Sequence, residues 1–265
     1  MATARKRAMI GVMNFSDTGF NDKRSNSFRI RAAKELLGIA HNKGFHALVF
    51  PAGYLISPTE STIKTIASPI LRMARKLRMS TIVGVDIAAI LGYPDDSNSP
   101  RMLRAIRRGK MPCFLVIYDA GTDSVNIMRQ RSATNRQAYE RMVPDDIMTP
   151  RIMEINGVSV NIIQCGEITD WRLFAEDAPR TAIVTVHQRM ARLYRSMQGR
   201  SRMGFSLIQS EHRKTRFSLS FLLRKGKDAS HRHRGQIDFE GNLWAEVVGF
   251  EIEESGRITG KESLI

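Results

Sequence analysis

Cysteine is scarce in this 265-residue chain: Cys113 and Cys165 are the only two. Two thiols exclude a disulfide scaffold and a four-cysteine zinc site, and they make a reduced, cytoplasmic location the expectation. Acids are also in short supply, 26 against 41 Lys and Arg, for a formal charge of +15. Aromatics make up 7% and do not interleave with the basic residues as a single-strand stacking platform requires. No run approaches the roughly 20 apolar residues of a membrane helix, so no membrane partner is expected. The start, MATARKRAMIGVMNF, is basic but lacks the apolar block and cleavage site of a secretory signal. A glycine-rich phosphate loop is missing, and Ser132, Ser159 and Ser206 lie outside any Gly-x-Ser-x-Gly elbow. His231 and His233 flank Arg232 with no second ligand cluster to match, so neither a metal nor a cofactor is expected.

What is present is a globular pattern. Hydrophobic residues reach 42%, and the length suits one domain over residues 1–265 with a sizeable core. Met9–Phe15 reads as a strand. Ser27–Asn42 has helical spacing at Ile30, Ala33, Leu36, Leu37 and Ala40, with Gly44 as its stop. His46–Phe50 is a strand closed by Pro51, Ser61–Leu77 a second helix and Thr81–Val85 a strand. Met111–Tyr118 and Ser124–Met128 form a hairpin, as do Arg151–Ile155 and Val158–Gln164 around the turn pair Asn156-Gly157. Thr169–Ala178 returns as a helix, Thr181–Val186 as a strand and Gln188–Met197 as a helix. Phe205–Ser210 and Phe217–Leu223 are strands, and Gln236–Phe239 with Leu243–Phe250 closes the chain as a hairpin. Helices alternating with strands indicate an α/β protein. The hairpins argue for two mixed sheets flanked by helices over one parallel sheet.

Cys165 is the most pointed feature. It follows the apolar strand Val158–Gln164 and precedes Gly166-Glu167-Ile168-Thr169, where a helix begins. Such a turn exposes a nucleophile and offers backbone N–H groups to a developing oxyanion. The competing reading is an inert small residue packed at a strand end. Cys113, inside an apolar run, reads as core.

Gly157–Arg172, with Cys165-Gly166-Glu167 at its centre, resembles the nucleophile motif of the nitrilase, or carbon–nitrogen hydrolase, superfamily. Gly44–Leu55, with Pro51-Ala52-Gly53, is similar to that family's first motif, and Asp238–Glu246 to its late hairpin. The resemblance implies a four-layer αββα sandwich that hydrolyses a small amide-like substrate through a thioester, and a homodimer or higher homo-oligomer. It implies Cys165 as nucleophile and Glu140 as the second glutamate. At position 52 the expected first glutamate is Ala52. Where a lysine is expected stands Arg131, with Arg129 as a further candidate. Gly166, Glu167, His187 and Gln188 are placed along the substrate pocket. Glu167 is either a structural acid, as is commoner in the family, or a replacement base. His187 is either a pocket residue or a polar strand end.

Amide hydrolysis needs a group that takes the thiol or water proton and one that protonates the departing amine. Ala52 does neither. Arg131 preserves positive charge beside an oxyanion but does not exchange its proton. Two hypotheses follow: an amidase acting through Cys165, or a catalytically impaired relative that binds a small molecule, an acidic partner or nucleic acid. The second draws on residues 189–234, where 13 Arg and Lys face two acids, Glu211 and Asp228. That stretch is either a polyanion contact or a solvated face. Arg72, Arg75, Lys76 and Arg78 invite the same two readings.

Overall fold

In the computed structural model the described residues are 6–17, 25–88, 108, 111–131, 151–169, 179, 181–186, 206–213, 221–224, 227–230, 236–238, 243–255 and 258–263. Their strands are β1 (Arg7–Asp17), β2 (Ala47–Val49), β3 (Leu55–Ser57), β4 (Ser80–Ile87), β5 (Cys113–Asp119), β6 (Ser124–Arg129), β7 (Ile152–Ile155) and β8 (Val158–Gln164). There follow β9 (Thr181–Val186), β10 (Ser206–Arg213), β11 (Phe221–Arg224), β12 (Lys227–Ser230), β13 (Gln236–Asp238), β14 (Leu243–Glu253) and β15 (Ile258–Ser263). The helices are α1 (Ser25–Asn42) and α2 (Ile63–Lys76).

β4, β5 and β8 read as near-continuous apolar runs because both of their faces are covered. Along β1, Ala8, Ile10 and Val12 enter one core, whereas Met13 and the partly buried Met9 enter another. The same split recurs in β4, where Ile82 joins the first core and Val83, Val85 and Ile87 the second. The second core lies under the helices, with Ala33, Leu36, Leu37 and Ala40 of α1 and Ile63, Ala67, Ile70 and Ala74 of α2. The first lies between two sheets, since it joins Ile10, Ile82 and Leu115 to Val160, Ile162 and Ile183. Each fully buried aliphatic side chain in these layers contributes about 1.5–3 kcal/mol.

The first sheet runs β6-β5-β4-β2-β1, with β14 antiparallel along the full length of β1 from Arg7↔Glu253 to Asp17↔Leu243. The second runs β7-β8-β9-β10, with β11 and β12 as a hairpin beyond β10. β1 pairs with β2 at Ile10–Val12 and with β10 at Phe15 and Ser16, so the second sheet begins where β1 ends. β1, β2 and β4 are mutually parallel, and β6 shares their direction through two antiparallel steps. β8, β9 and β10 are parallel to each other and to β1. The carboxyl ends of all seven therefore lie toward one end of the sandwich.

The fold is α/β, with two mixed sheets face to face and helices outside. The helices expected at Thr169–Ala178 and Gln188–Met197 lie outside the described residues, apart from Thr169. Two elements correct the sequence reading. The second helix begins as a 3₁₀ turn, Glu60–Thr62, before α2. The segment after Pro51, to which the sequence assigns no element, returns as β3, parallel to β4. On the exposed face of α2, Arg75 Nε lies 2.9 Å from Asp123 Oδ1. Among the described residues no helix is long and apolar enough to cross a membrane.

One histidine at a strand start carries a pH prediction. Half-buried His46 accepts a hydrogen bond at Nδ1 from the Met9 backbone N–H, at 2.9 Å. Desolvation lowers its pKa from the ordinary 6.5. Above 6.5 the ring is neutral in both states and its contribution is complete. As pH falls through 6.5 the unfolded chain takes up the proton first, so stability is lost until the folded pKa is passed. Urea unfolding at a series of pH values should show this slope, and His46→Asn, which keeps an acceptor, should remove it.

Candidate active site

The chain between β2 and β3 makes an arch. Phe50 N–H donates to Ile82 O at 2.8 Å, keeping the β4 register, and Leu55 rejoins β4 opposite Val85. In between, residues 51–53 pass directly over Gly84. A Cβ on Gly84 would overlap Pro51 O and Ala52 Cα and would lie 2.7 Å from Gly53 N. Gly84 shares the face of Ile82, so the arch projects toward the second sheet. Ala52 lies in it, fully buried. The arch is anchored on the helix side: Tyr54 OH donates to Arg29 O at 2.6 Å, and Arg29 donates to Tyr54 O at 3.1 Å.

Cys165 stands at the end of β8, opening the 3₁₀ turn Cys165–Thr169. Its φ of +38° is one of four positive values among the described non-glycine residues. A side chain in that region costs of order 1–3 kcal/mol, an expense that clusters at functional sites. Both cysteines are thiols, Cys113 buried and Cys165 partly exposed. The sharp turn read from the sequence is therefore present, and Cys165 is not packed away. The hairpin before it is equally local in origin: Asn156 and Gly157 take φ of +49° and +76°, as a two-residue turn demands.

Glu167 binds this turn to the first sheet. Its carboxylate is fully buried. Oε1 accepts from the Arg131 backbone N–H at 2.6 Å, and Oε2 from the Gln164 N–H at 3.1 Å. Arg151 NH1 lies 3.1 Å from Oε1, and Arg131 Nε 3.6 Å from it. Arg151 also donates through NH2 to Arg129 O at 2.5 Å. The acid thus ties the end of β6 to the end of β8. Both oxygens are engaged by backbone N–H groups, the arrangement of an acid that holds neighbouring segments in place. Glu167 is thus met by two guanidiniums, Arg131 and Arg151, in the turn that Cys165 opens.

Of the two candidates for the missing lysine, Arg131 lies against Glu167, two residues after Cys165, whereas Arg129 is engaged elsewhere. The Arg129 guanidinium donates to Glu60 at 2.5 Å and to Met111 O at 2.9 Å, and it stacks 4.6 Å from the Phe114 ring. It lies on the helix side of the sheet. Gly166 is buried in the turn itself. Glu140, His187, Gln188, His231 and His233 lie outside the described residues, as do the side chains of 189–234. Sequence reading missed Arg151, which no motif marks, and Gly84, whose need for a bare backbone shows only once the arch is seen. Among the described residues no group of three His, Cys, Asp or Glu is placed to hold a metal.

No family model matches the chain, and no curated protein does. Solved structures do. An amidase from Nesterenkonia sp. is 10% identical with a TM-score of 0.56, over 99% of this chain and 88% of that one. A cysteine-to-alanine variant of the Nesterenkonia AN1 amidase, described as from the nitrilase superfamily, gives 10% identity and a TM-score of 0.55, over 99% and 88%. The chain has the fold of the nitrilase-superfamily amidases. A glutamate-to-leucine variant of that amidase, 10% identical with a TM-score of 0.57 over 98% and 87% of the two chains, carries the acetamide moiety of fluoroacetamide at its active-site cysteine. The αββα sandwich expected from the motifs is thus the nitrilase-type architecture, matched over nearly the whole chain at an identity that carries no further detail.

Proposed function

We propose that this chain is a divergent carbon–nitrogen hydrolase that cleaves a small amide through a thioester on Cys165. The observation that carries the reading is the Cys165 turn: a partly exposed thiol at positive φ, locked by buried Glu167 to Arg131. In this mechanism the sulfur attacks the amide carbon. Arg131 and Arg151 supply the positive field for the tetrahedral oxyanion, and Glu167 fixes their placement. Glu140, His187 and Gln188 enter through the motif resemblance alone, as the second glutamate and as pocket residues.

The departure at Ala52 is compatible with thiol chemistry. In the Nesterenkonia AN1 amidase, variants with one glutamate replaced by leucine or glutamine still carry the acetamide moiety on the active-site cysteine, so covalent addition there survives loss of a glutamate. The test is ammonia release from a panel of small primary amides. The reading expects turnover above the spontaneous rate with at least one of them; release indistinguishable from the buffer blank across the panel contradicts it. The second reading, a binding module of the same fold, is favoured by Ala52 and by the charge of 189–234, which would meet a polyanion or acidic partner. Homo-oligomer formation belongs with either reading.

A further inference from the structure

The residue alternation that separates the two cores also places a buried carboxylate with no role in the mechanism above. Ile82 belongs to the core between the sheets, whereas Val83, Val85 and Ile87 belong to the core under the helices. Gly84 and Asp86 therefore share the face of Ile82 and look toward the second sheet. Asp86 is fully buried. Its register partner on β5 is Cys113, also buried, and Gln130 N–H donates to Cys113 O at 2.9 Å. Asp86, Cys113 and Gln130 thus form a row across the strand ends of the first sheet, one residue short of Arg131.

The facing wall turns polar at the same end. Val160, Ile162 and Ile183 lie in the core between the sheets, so Gln164 and Thr185, which are register partners, share their face. Both are fully buried. Among the described residues Gln164 Oε1 and Nε2 and Thr185 Oγ1 have no hydrogen-bond partner. Burying such groups unpaired costs about 1–3 kcal/mol each, an expense that a reacting polar group can offset where pure packing does not.

We propose that Asp86 is the proton-transfer carboxylate of this site and takes over the work that Ala52 does not perform. The arch places Ala52 over Gly84, and Asp86 is the next residue of β4 on that face, roughly 6.6 Å further along the strand. A glutamate at 52 would lower a carboxylate from the arch, and Asp86 raises one from the strand beneath. The proposal rests on the amidase reading. As the Cys165 sulfur bonds to the amide carbon, its proton passes to Asp86 and the carbonyl π pair moves onto oxygen. The adduct collapses by breaking the carbon–nitrogen bond. The amine takes the proton back from Asp86 and leaves as ammonia. Water then adds to the thioester carbon and gives a proton to Asp86. Collapse breaks the carbon–sulfur bond, the proton returns to sulfur and the carboxylic acid departs.

The experiment uses the full chain and an amide that the wild type hydrolyses. Asp86→Asn should lower kcat/KM by about 10²–10⁴. Asp86→Ala should recover part of its turnover with added formate, to which the wild type should not respond. Thermal unfolding checks both variants, and if the Asn variant does not fold, Asp86→Ala with and without formate carries the test. Wild-type rates in Asp86→Asn, or a folded Asp86→Ala indifferent to formate, would overturn the assignment while leaving the amidase reading intact. A wild type that releases no ammonia fails that reading first, and the proposal with it.

Discussion

Glu167→Gln should be the most destabilising conservative substitution in the site. The side chain keeps its shape but loses the countercharge for two guanidiniums, Arg131 and Arg151, whose side chains are 7% and 12% exposed. Its two oxygens accept backbone N–H groups from opposite directions, Arg131 on one side and Gln164 on the other. A glutamine replaces one acceptor with an NH₂ donor, so one of those N–H groups would face another donor. Breaking a buried ion pair from one side costs about 3–5 kcal/mol, a large part of a typical 5–15 kcal/mol stability. Urea denaturation should show a lower midpoint of that order, with turnover falling as Arg131 and the Cys165 turn lose their common anchor. A change under about 1 kcal/mol would show that Glu167 does not hold the two sheets' ends together, since such a change is within the range of an exposed pair.

Gly84→Ala should have the second-largest effect. On strand propensity alone an added methyl would help slightly, because glycine costs roughly 0.5–1 kcal/mol in a strand. The contacts reverse the sign. The new Cβ would meet backbone atoms of Pro51, Ala52 and Gly53, which cannot turn aside as a flexible side chain does. The arch must lift or β4 must move. Overpacking of this kind typically costs 1–3 kcal/mol, and backbone on both sides puts this case at about 3. Displacement of position 52 by about 1 Å would lower turnover by roughly 10²-fold if the arch walls the site. Unfolding curves and kcat/KM for Gly84→Ala measure both effects, and wild-type values for each would mean that the arch gives way freely.

The contrast between these residues shows what the sequence makes legible. The hairpins were readable because their turns are local: Asn156-Gly157 needs two positive φ values, and no distant contact decides that. Cys165 was readable for the same reason, as the end of an apolar strand followed by Gly-Glu. The strand β9 coincides with the run Thr181–Val186 because both of its faces are covered. By contrast, β12 (KDAS) and β15 (ITGKES) carry no apolar alternation. They are strands because β11 and β14 offer them a pairing edge, a tertiary cause invisible to periodicity. β3 was hidden because its three residues, Leu55–Ser57, are too few to show a pattern when the register of β4 is unknown.

In the site the division is similar. The motif marks Glu167 but does not show what its carboxylate meets; Arg131 and Arg151 reach it from just past β6 and just before β7. Arg129 and Arg131 are equivalent in sequence, two residues apart in one basic patch. The strand pairing separates them, since Arg129 lies opposite Phe114 on the helix side. Asp86 ends an apolar run and looks like a strand exit until the alternation through Ile82 and Gly84 turns it toward the second sheet.

The central claim is that the Cys165 thiol is the reacting group and Cys113 is not. The most direct measurement is peptide mapping by mass spectrometry after incubation of the folded protein with fluoroacetamide. The account predicts an acetamide adduct on the Cys165 peptide, an unmodified Cys113, and no adduct in Cys165→Ala. Equal, slow modification of both cysteines, or modification only after denaturation, would contradict it.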